Sequence, residues 1–255
     1  MLAFLIAALA FGLGQADAGA PAAAAPPADE AKGREQFLAA IERMQQASAR
    51  LKDFTATFHK REYKGRQRPW EVIDMKFRAS PRSVYMKWVG ANFRGQEVLW
   101  QRDRNKGNLT VHTNTFPDFT VHPSPDSWIA MRNTRHPTQH VGFEYTLSTF
   151  ARDIVAGRAK PHCVKHAGDL GVLEIYGKPA RCYESETDKA ACPEMYAYKA
   201  RICESEANGL PAKVDVWDKE DGELRLVEEY GYEDIKVDVG LGDKDFDPKN
   251  RDYGF

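Results

Sequence analysis

The sequence lacks the features that would place it in several common classes of protein. Its formal net charge is −1, with 36 basic against 37 acidic residues, so it has no strongly basic footprint of a nucleic-acid-binding protein. This balance, with 42% hydrophobic residues, also excludes a chain that charge repulsion keeps disordered. After residue 20, no uninterrupted apolar run approaches the roughly 20 residues of a membrane-spanning helix. We therefore expect a globular chain that has no nucleic acid among its partners.

The catalytic motifs that are easiest to identify are absent as well. The chain contains no G-x-S-x-G, no H-E-x-x-H, no phosphate-binding P-loop and no G-x-G-x-x-G. These motifs hold a nucleophile, a metal ion or a nucleotide, so no cofactor is expected. The sequence favours a protein without enzymatic activity.

Cysteine is scarce, but its four positions are close together. They are Cys163, Cys182, Cys192 and Cys203. No two have C-x-x-C spacing, so a thioredoxin-like redox motif is absent. In an exported protein an even, clustered set predicts disulfides, and four cysteines allow three pairings, among which the sequence does not choose. A zinc site with His162 and His166 is the rival interpretation, but the tight cysteine pairs of structural zinc sites are missing.

The amino terminus has the composition of a secretory signal. Residues 2–14 are all apolar or small, and Ala16-Asp17-Ala18 supplies a small-x-small cleavage pattern. The alternative, a buried helix, is disfavoured because this run has no polar face. We expect a signal peptide over residues 1–18, an Ala/Pro-rich linker over 19–31 and one domain over 32–255. With no cysteine at the cleavage site to form a lipobox, the mature protein is expected in the periplasm or otherwise exported.

Hydrophobic periodicity predicts the fold class. Residues 29–52 carry an apolar stripe at helical spacing, which includes Phe37, Ile41 and Met44. From Phe54 onward the period changes to two, and about ten strands follow, with a second helix over residues 145–157 and a short one opening near Pro125. Strands that follow one another without alternating helices exclude a parallel sheet. We predict an α+β fold, a large curled antiparallel sheet forming a half-open β-barrel. The N-terminal helix and a mid-chain helical insertion cover its open face.

Several segments of the sequence carry a family resemblance, at residues 51–58, 78–88, 95–99, 135–137 with 142–143, 209–214 and 245–255. In these segments the sequence resembles the bacterial domain-of-unknown-function family 1571. The order of elements is similar to the LolA/LolB-like lipoprotein-carrier architecture. The family resemblance implies no function. The carrier architecture implies a half-open barrel that holds acyl chains in an apolar cavity.

Inward-facing residues of the alternating strands are the predicted ligand contacts. They are Phe58, Met75, Phe77, Met86, Trp88, Val98 and Trp100. Large apolar side chains on a curled sheet either fill it or line a cavity, and the sequence does not separate these cases. The leading hypothesis is a protein that binds the acyl chain of a lipid or lipoprotein, or another hydrophobic ligand. The alternative is a scaffold with a filled barrel that binds an envelope protein.

A basic turn supplies the predicted contact with a membrane or a protein partner. Its residues are Lys60, Arg61, Lys64, Arg66 and Arg68. The turn is either a solvated surface feature or a contact with anionic lipid, where each charge contributes about 1 kcal/mol. Peripheral membrane contact is therefore one expectation, and recognition of an envelope protein is the other.

Two histidine pairs define a remote alternative, a metal-dependent enzyme. His136 and His140 are four residues apart, as are His162 and His166, and on a helix this spacing would place two imidazoles on one face. Pro137 disfavours a helix at the first pair, because the residue before a proline is pushed toward extended backbone. The prolines and glycine near the second pair indicate a loop there too.

Overall fold

Helix α1 spans Ala28–Ala49 and begins the part of the chain that the structure describes, residues 28–116 and 119–255 of a computed structural model. The predicted signal peptide and the linker as far as residue 27 lie outside the described residues. Phe37, Ile41 and Met44 of α1 are fully buried, as their helical spacing predicts. The division into signal peptide, linker and one domain stays a prediction.

Two further helices lie in the middle of the chain. Helix α2, Trp128–Met131, is capped by Ser127, whose hydroxyl accepts a hydrogen bond from the Ala130 amide. Helix α3 spans Glu144–Ala159 and packs against α1. Both were predicted from the sequence. Among the described residues, no helix combines the length and hydropathy that crossing a membrane requires.

Eleven strands follow from the alternating segments in the described part of the chain. They are β1 Asp53–Glu62, β2 Glu71–Arg78, β3 Ser83–Trp88, β4 Glu97–Gln101, β5 Thr110–His112, β6 Thr120–Val121, β7 Val164–Ile175, β8 Lys178–Thr187, β9 Lys199–Ser205, β10 Pro211–Glu220 and β11 Glu223–Val237. They form one sheet in the order β6-β5-β4-β3-β2-β1-β11-β10-β9-β8-β7. Every pairing is antiparallel, and β6 and β7 remain as edges, so the curled sheet is not closed. The predicted fold class is confirmed.

The main core lies between the inner face of the sheet and the two longer helices. Phe54 on β1 is fully buried, with its ring stacked between Phe77 of β2 at 5.0 Å and Phe143 before α3 at 5.1 Å. The outer face is covered in part by the C-terminal segment, where Tyr253 stacks on Tyr85 at 4.0 Å. Helices therefore fill one half of the curled sheet.

Both predicted disulfides are present. Cys163 pairs with Cys192, and Cys182 pairs with Cys203, its direct neighbour across β8 and β9. No described cysteine is free. The first bridge joins the start of β7 to the loop before β9, and the second staples two adjacent strands. Two disulfides indicate a protein that folds in an oxidising compartment, as exported proteins do.

The structure differs from the sequence prediction at both sheet edges. Strand β7 begins at Val164, so His166 lies in a strand and not in the loop expected around the second histidine pair. At the start of β7, Val164 and Ala167 are buried against the core. The exposed residues Lys165 and His166 lie between them and obscure the alternation. At the opposite edge, the two-residue strand β6 lies between Pro117 and Pro123, in a stretch whose sequence gives no strand signal. Such short elements carry too few residues for a period to be read.

Helix α1 comes so close to strand β7 at Gly33 that a side chain does not fit. A Cβ there would overlap the carbonyl oxygen of Ala167. A glycine-to-alanine change inside a helix normally stabilises it by up to about 1 kcal/mol. We expect Gly33→Ala to have the opposite sign, lowering the free energy of unfolding in urea by about 1–3 kcal/mol because backbone atoms must move.

The matched control for this prediction is Gly242→Ala, because a Cβ at Gly242 meets no other atom within 4 Å. This variant should unfold at the wild-type urea concentration. If Gly33→Ala proves as stable as the wild type, the close approach of α1 to β7 is wrong.

Candidate functional site

A cavity of about 400 Å³ occupies the half of the sheet that the helical core leaves unfilled. Its walls come from the inner face of β1 to β5 and β11 and from residues 119–146, which we call the cover segment. The main apolar wall residues are Phe58, Ile73, Met86, Trp88, Val98, Val111, Val121, Ile129, Ala130, Val141, Tyr145, Tyr230 and Tyr232. The volume lies within the usual range for small-molecule sites.

Cross-strand ladders explain why these side chains converge. One ladder runs across the sheet from Tyr232 through Phe58 and Ile73 to Trp88. Residues directly opposite each other in neighbouring strands point to the same face of a sheet. Period-two alternation therefore places each ladder entirely on the inner face.

A second ladder runs parallel to the first. It joins Met75, Met86, Val98, Val111 and Val121 on β2 to β6. Four of these five side chains line the cavity, whereas Met75 is 1% exposed and lies in the filled core. The boundary between the filled and hollow halves therefore crosses this ladder at its first residue.

The structure separates the seven predicted ligand contacts into two groups. Phe58, Met86, Trp88 and Val98 line the cavity. The other three do not: Met75 and Phe77 belong to the core, and Trp100 faces a separate, open, largely polar cleft. Ligand binding by the first group stays a prediction.

One end of the cavity is polar and charged. The Lys60 ammonium donates a hydrogen bond to Thr134 at 3.0 Å and lies 3.4 Å from Glu62 and 3.9 Å from Glu71. Burial alone would lower the pKa of Lys60, but the two carboxylates raise it above its ordinary value. Trp88 donates its indole N–H to Glu71 at 2.6 Å, so the apolar wall and the charged end are joined.

Two glutamates face each other at this end. The register of β1 and β11 places Glu62 directly opposite Glu228, and their side chains are 1% and 4% exposed. Like charges in this position destabilise a sheet unless other groups compensate them. For Glu62, the Tyr230 hydroxyl donates at 2.5 Å and the Arg135 amide at 3.0 Å.

Glu228 is compensated by three side chains from two parts of the chain. The Tyr196 hydroxyl donates to both of its oxygens at 2.7 and 2.9 Å, and the Arg135 guanidinium donates at 3.0 Å. His136 contacts the same carboxylate through Nε2 at 3.0 Å. Burial alone would raise the pKa of Glu228, but His136, Tyr196 and Arg135 hold it below its ordinary value. The motif at residues 135–137 thus binds the cover segment to the sheet.

The basic turn is partly engaged within the molecule. Lys60 points into the cavity, and Arg61 forms an ion pair with Glu229 at 2.6 Å. Lys64 donates to the backbone carbonyls of the cover segment. Arg66 is exposed and Arg68 half-buried. Contact of this turn with a membrane or partner stays a prediction, but it cannot involve all five side chains equally.

The four histidines of the metal hypothesis are not brought together. His136 and His140 line the cavity, whereas His162 and His166 lie beside the start of β7. Within the described residues, the group of three donors close enough to hold one ion is His162 with Cys163 and Cys192. Those two cysteines form a disulfide, which removes the thiolates that a zinc ion would need.

Sequence reasoning missed the cover segment and the charged end as parts of the site. The alternation of Tyr230 and Tyr232 on β11 was a usable signal, because both continue the inward parity of that strand. The parity of β1, which runs through Phe58 to Lys60 and Glu62, would also have placed these charges inside. No periodic signal marks the irregular cover segment.

Comparison with known proteins gives one match to a family model. The model is described as "Protein of unknown function (DUF1571)" and matches residues 51–255. No curated protein matches the chain significantly.

Several solved structures are similar to the chain at low identity. The Mycobacterium tuberculosis lipoprotein LppX is 12% identical, with a TM-score of 0.48, over 82% of this chain and 98% of its own. A chain of the Pseudomonas aeruginosa MucA/MucB complex is 13% identical, with a TM-score of 0.46, over 83% and 60%. A LolA superfamily protein from Nitrosomonas europaea is 14% identical, with a TM-score of 0.32, over 82% and 96%. All three TM-scores lie below 0.5, so these likenesses carry no argument about function.

The compensated Glu228 carboxylate predicts a specific pH dependence of stability. Its pKa is lower in the folded than in the unfolded protein, so its stabilisation is present above the ordinary value of 4.5 and is lost as the pH falls through the folded pKa. At pH 7 we expect Glu228→Gln to lower the free energy of unfolding by about 1.5–3 kcal/mol. The difference from wild type should shrink below pH 4.5, measured by urea unfolding across this range.

The control for the pH series is Glu223→Gln on the same strand, because the Glu223 side chain is 70% exposed. It should leave the stability unchanged at every pH. A Glu228→Gln deficit that stays constant down to pH 3 would show that the carboxylate charge is not what the network stabilises.

Proposed function

This chain belongs to the DUF1571 family of proteins of unknown function, as its sequence segments indicated, and on this premise we propose a function from its cavity. We propose that it is an exported, non-enzymatic protein that holds an acyl chain or another hydrophobic ligand. The observation that carries the proposal is the cavity of about 400 Å³ lined by two apolar cross-strand ladders. A scaffold with a filled barrel would need no such space.

The shape of the lining supports a flexible aliphatic ligand. Met86 and Val98 sit beside each other on one wall, opposite Ile129 and Ala130 of the cover segment. Methionine adapts to irregular ligands because its side chain is unbranched and polarisable. The cavity is open to the exterior where its wall residues Phe93, Phe119 and Ile129 are 43–55% exposed. A chain can therefore enter without unfolding of the core.

The charged end limits which head group the ligand carries. Glu62 and Glu71 flank the Lys60 ammonium, so the charge of Lys60 is already balanced inside the protein. A free carboxylate placed here would meet two carboxylates and would have to displace one of them. The site therefore fits a neutral acyl chain, such as one held in an ester or amide, better than an ionised fatty acid.

The polar groups support binding and not catalysis. His136 is engaged by the Glu228 carboxylate and by the Tyr196 hydroxyl at 2.9 Å. Burial, with Glu228 beside it, raises the pKa of Tyr196 far above its ordinary value, so the phenol stays protonated and donates. A general base needs a reacting proton within reach, whereas this cluster satisfies its own members.

Binding of neutral single-chain lipids tests the proposal. With 1-monoacylglycerols of increasing length, we expect affinity to rise about fourfold per added methylene, since each buried CH₂ contributes about 0.8 kcal/mol. The rise should stop when the cavity is full. Displacement of an environment-sensitive fluorescent lipid measures it, and native mass spectrometry of the exported protein shows whether a lipid co-purifies.

A matched pair of variants locates the binding. Val121→Trp on edge strand β6 fills part of the cavity and should weaken binding by about tenfold or more, because the indole displaces several methylenes. Val172→Trp makes the same change on the other edge strand, where Val172 is 49% exposed, and should bind as wild type does. Affinity that is independent of chain length, or unaffected by Val121→Trp, would favour the filled scaffold instead.

A further inference from the structure

Three turns at the mouth of the cavity have an unusual charge composition. They are the β1–β2 turn over residues 63–70, the β3–β4 turn over residues 89–96 and the α2 region over residues 127–135, which together we call the rim. The rim contains no aspartate or glutamate. Its basic residues are Lys64, Arg66, Arg68, Arg94, Arg132 and Arg135. In a chain with almost equal numbers of acidic and basic residues, this is a local segregation of charge.

Hydrogen bonds hold the three turns in one surface. The Lys64 ammonium donates to the carbonyls of Met131 and Thr134 at 2.6 and 2.8 Å, which joins the first turn to the α2 region. The Asn92 amide donates to the carbonyl of Trp70 at 2.8 Å, which joins the second turn to the first. The rim is therefore a continuous structure around the opening.

The charges of the rim divide into engaged and exposed ones. Arg135 is bound to Glu220 and Glu228 and faces inward. Arg66, Arg94 and Arg132 are exposed, one on each turn. Each turn therefore presents an arginine to the solvent around the same opening.

Large apolar side chains are exposed beside these arginines. Trp128 is 73% exposed, Ile129 55% and Phe93 43%, and Phe119 of the neighbouring loop is 50% exposed. Exposed apolar patches of this kind mark interaction surfaces. Tryptophan and phenylalanine next to arginine is the combination found where a protein meets the head groups and outer acyl region of a bilayer.

We propose that the rim docks on an anionic lipid membrane, with Arg66, Arg94 and Arg132 on the head groups and Trp128, Ile129 and Phe93 inserted between them. The charge complementarity of three turns that carry no acidic residue of their own favours a bilayer over a protein partner, because a bilayer offers negative charge and apolar depth at every point. Phe93 and Ile129 also line the cavity, so docking opens the cavity directly to the acyl region. This last step rests on the proposed ligand binding, whereas the docking itself does not.

Sedimentation with vesicles tests the docking. The wild-type protein should bind vesicles of equal parts phosphatidylcholine and phosphatidylglycerol, and bind pure phosphatidylcholine far more weakly. Arg94→Glu with Arg132→Glu should lower the partition coefficient by at least about 25-fold, at roughly fivefold for each lost charge. High salt should weaken binding in the same direction. Trp128→Ser should lower it on both kinds of vesicle.

Matched controls separate the rim from general charge effects. Arg102→Glu with Arg104→Glu reverses two exposed arginines on the β4–β5 turn, at the opposite end of β4. Val172→Ser removes an exposed apolar side chain on β7. Both should bind vesicles as wild type does. An equal loss of vesicle binding in the control variants would overturn the proposal, as would wild-type protein that does not bind anionic vesicles. The rim would then be a protein-binding surface.

The monoacylglycerol series distinguishes this proposal from the function on which its last step rests. Arg94 and Arg132 do not line the cavity, so their double variant should bind monoacylglycerols in solution with wild-type affinity. Vesicle binding without monoacylglycerol binding would leave the docking standing and remove the proposed function. Monoacylglycerol binding without vesicle binding would leave the proposed function standing and remove the docking.

Discussion

The pairing of β1 with β11 is the constraint on which the rest of the structure depends. It joins strands from the two ends of the domain in the middle of the sheet, and its register puts Glu62 opposite Glu228 in the interior. Two buried carboxylates on directly opposite residues would repel each other strongly in a medium of low dielectric constant. Arg135 resolves this, with its amide on one carboxylate and its guanidinium on the other. The charges of Glu62 and Glu228 in the sheet are thus compensated in part by Arg135, a residue outside the sheet.

That requirement determines where the cover segment lies. Arg135 and His136 reach the glutamates only if the chain around them crosses the inner face of the sheet. A hydrogen bond to a charged group contributes about 1.5–3 kcal/mol, so the segment is held there more firmly than its short helix α2 alone could achieve. The same crossing places Ile129 and Val141 over the ladders and encloses the cavity. The compensation of the two glutamates and the enclosure of the cavity are therefore consequences of one arrangement.

The sequence predicted the ladders because period-two alternation is a local property, and it predicted the curled sheet because strands followed one another without helices. It could not tell which inward residues face a cavity. Phe58 and Phe77 both point inward and both are buried, yet only Phe58 lines the cavity, whereas Phe77 stacks on Phe54, which in turn stacks on Phe143. Lys60 is predicted from the sequence as part of a basic surface turn, whereas the parity of β1 places its side chain inside, where it lines the cavity. The pairing of the cysteines likewise needed the register of β8 and β9, which periodicity does not supply.

The size of the cavity is one reason to propose a ligand for it. A sealed, empty apolar cavity of about 400 Å³ would cost about 10 kcal/mol at roughly 24 cal/mol per Å³, which is comparable to the whole stability of a domain. The protein escapes this cost by leaving the cavity open between Phe93, Phe119 and Ile129. Water then contacts these three exposed wall residues, whereas deeper wall residues such as Ile73, Met86 and Trp88 are only 0–6% exposed. An aliphatic chain that covered these residues would remove that unfavourable contact, so the opening that spares the protein the cost of a sealed cavity would also supply a driving force for the proposed binding.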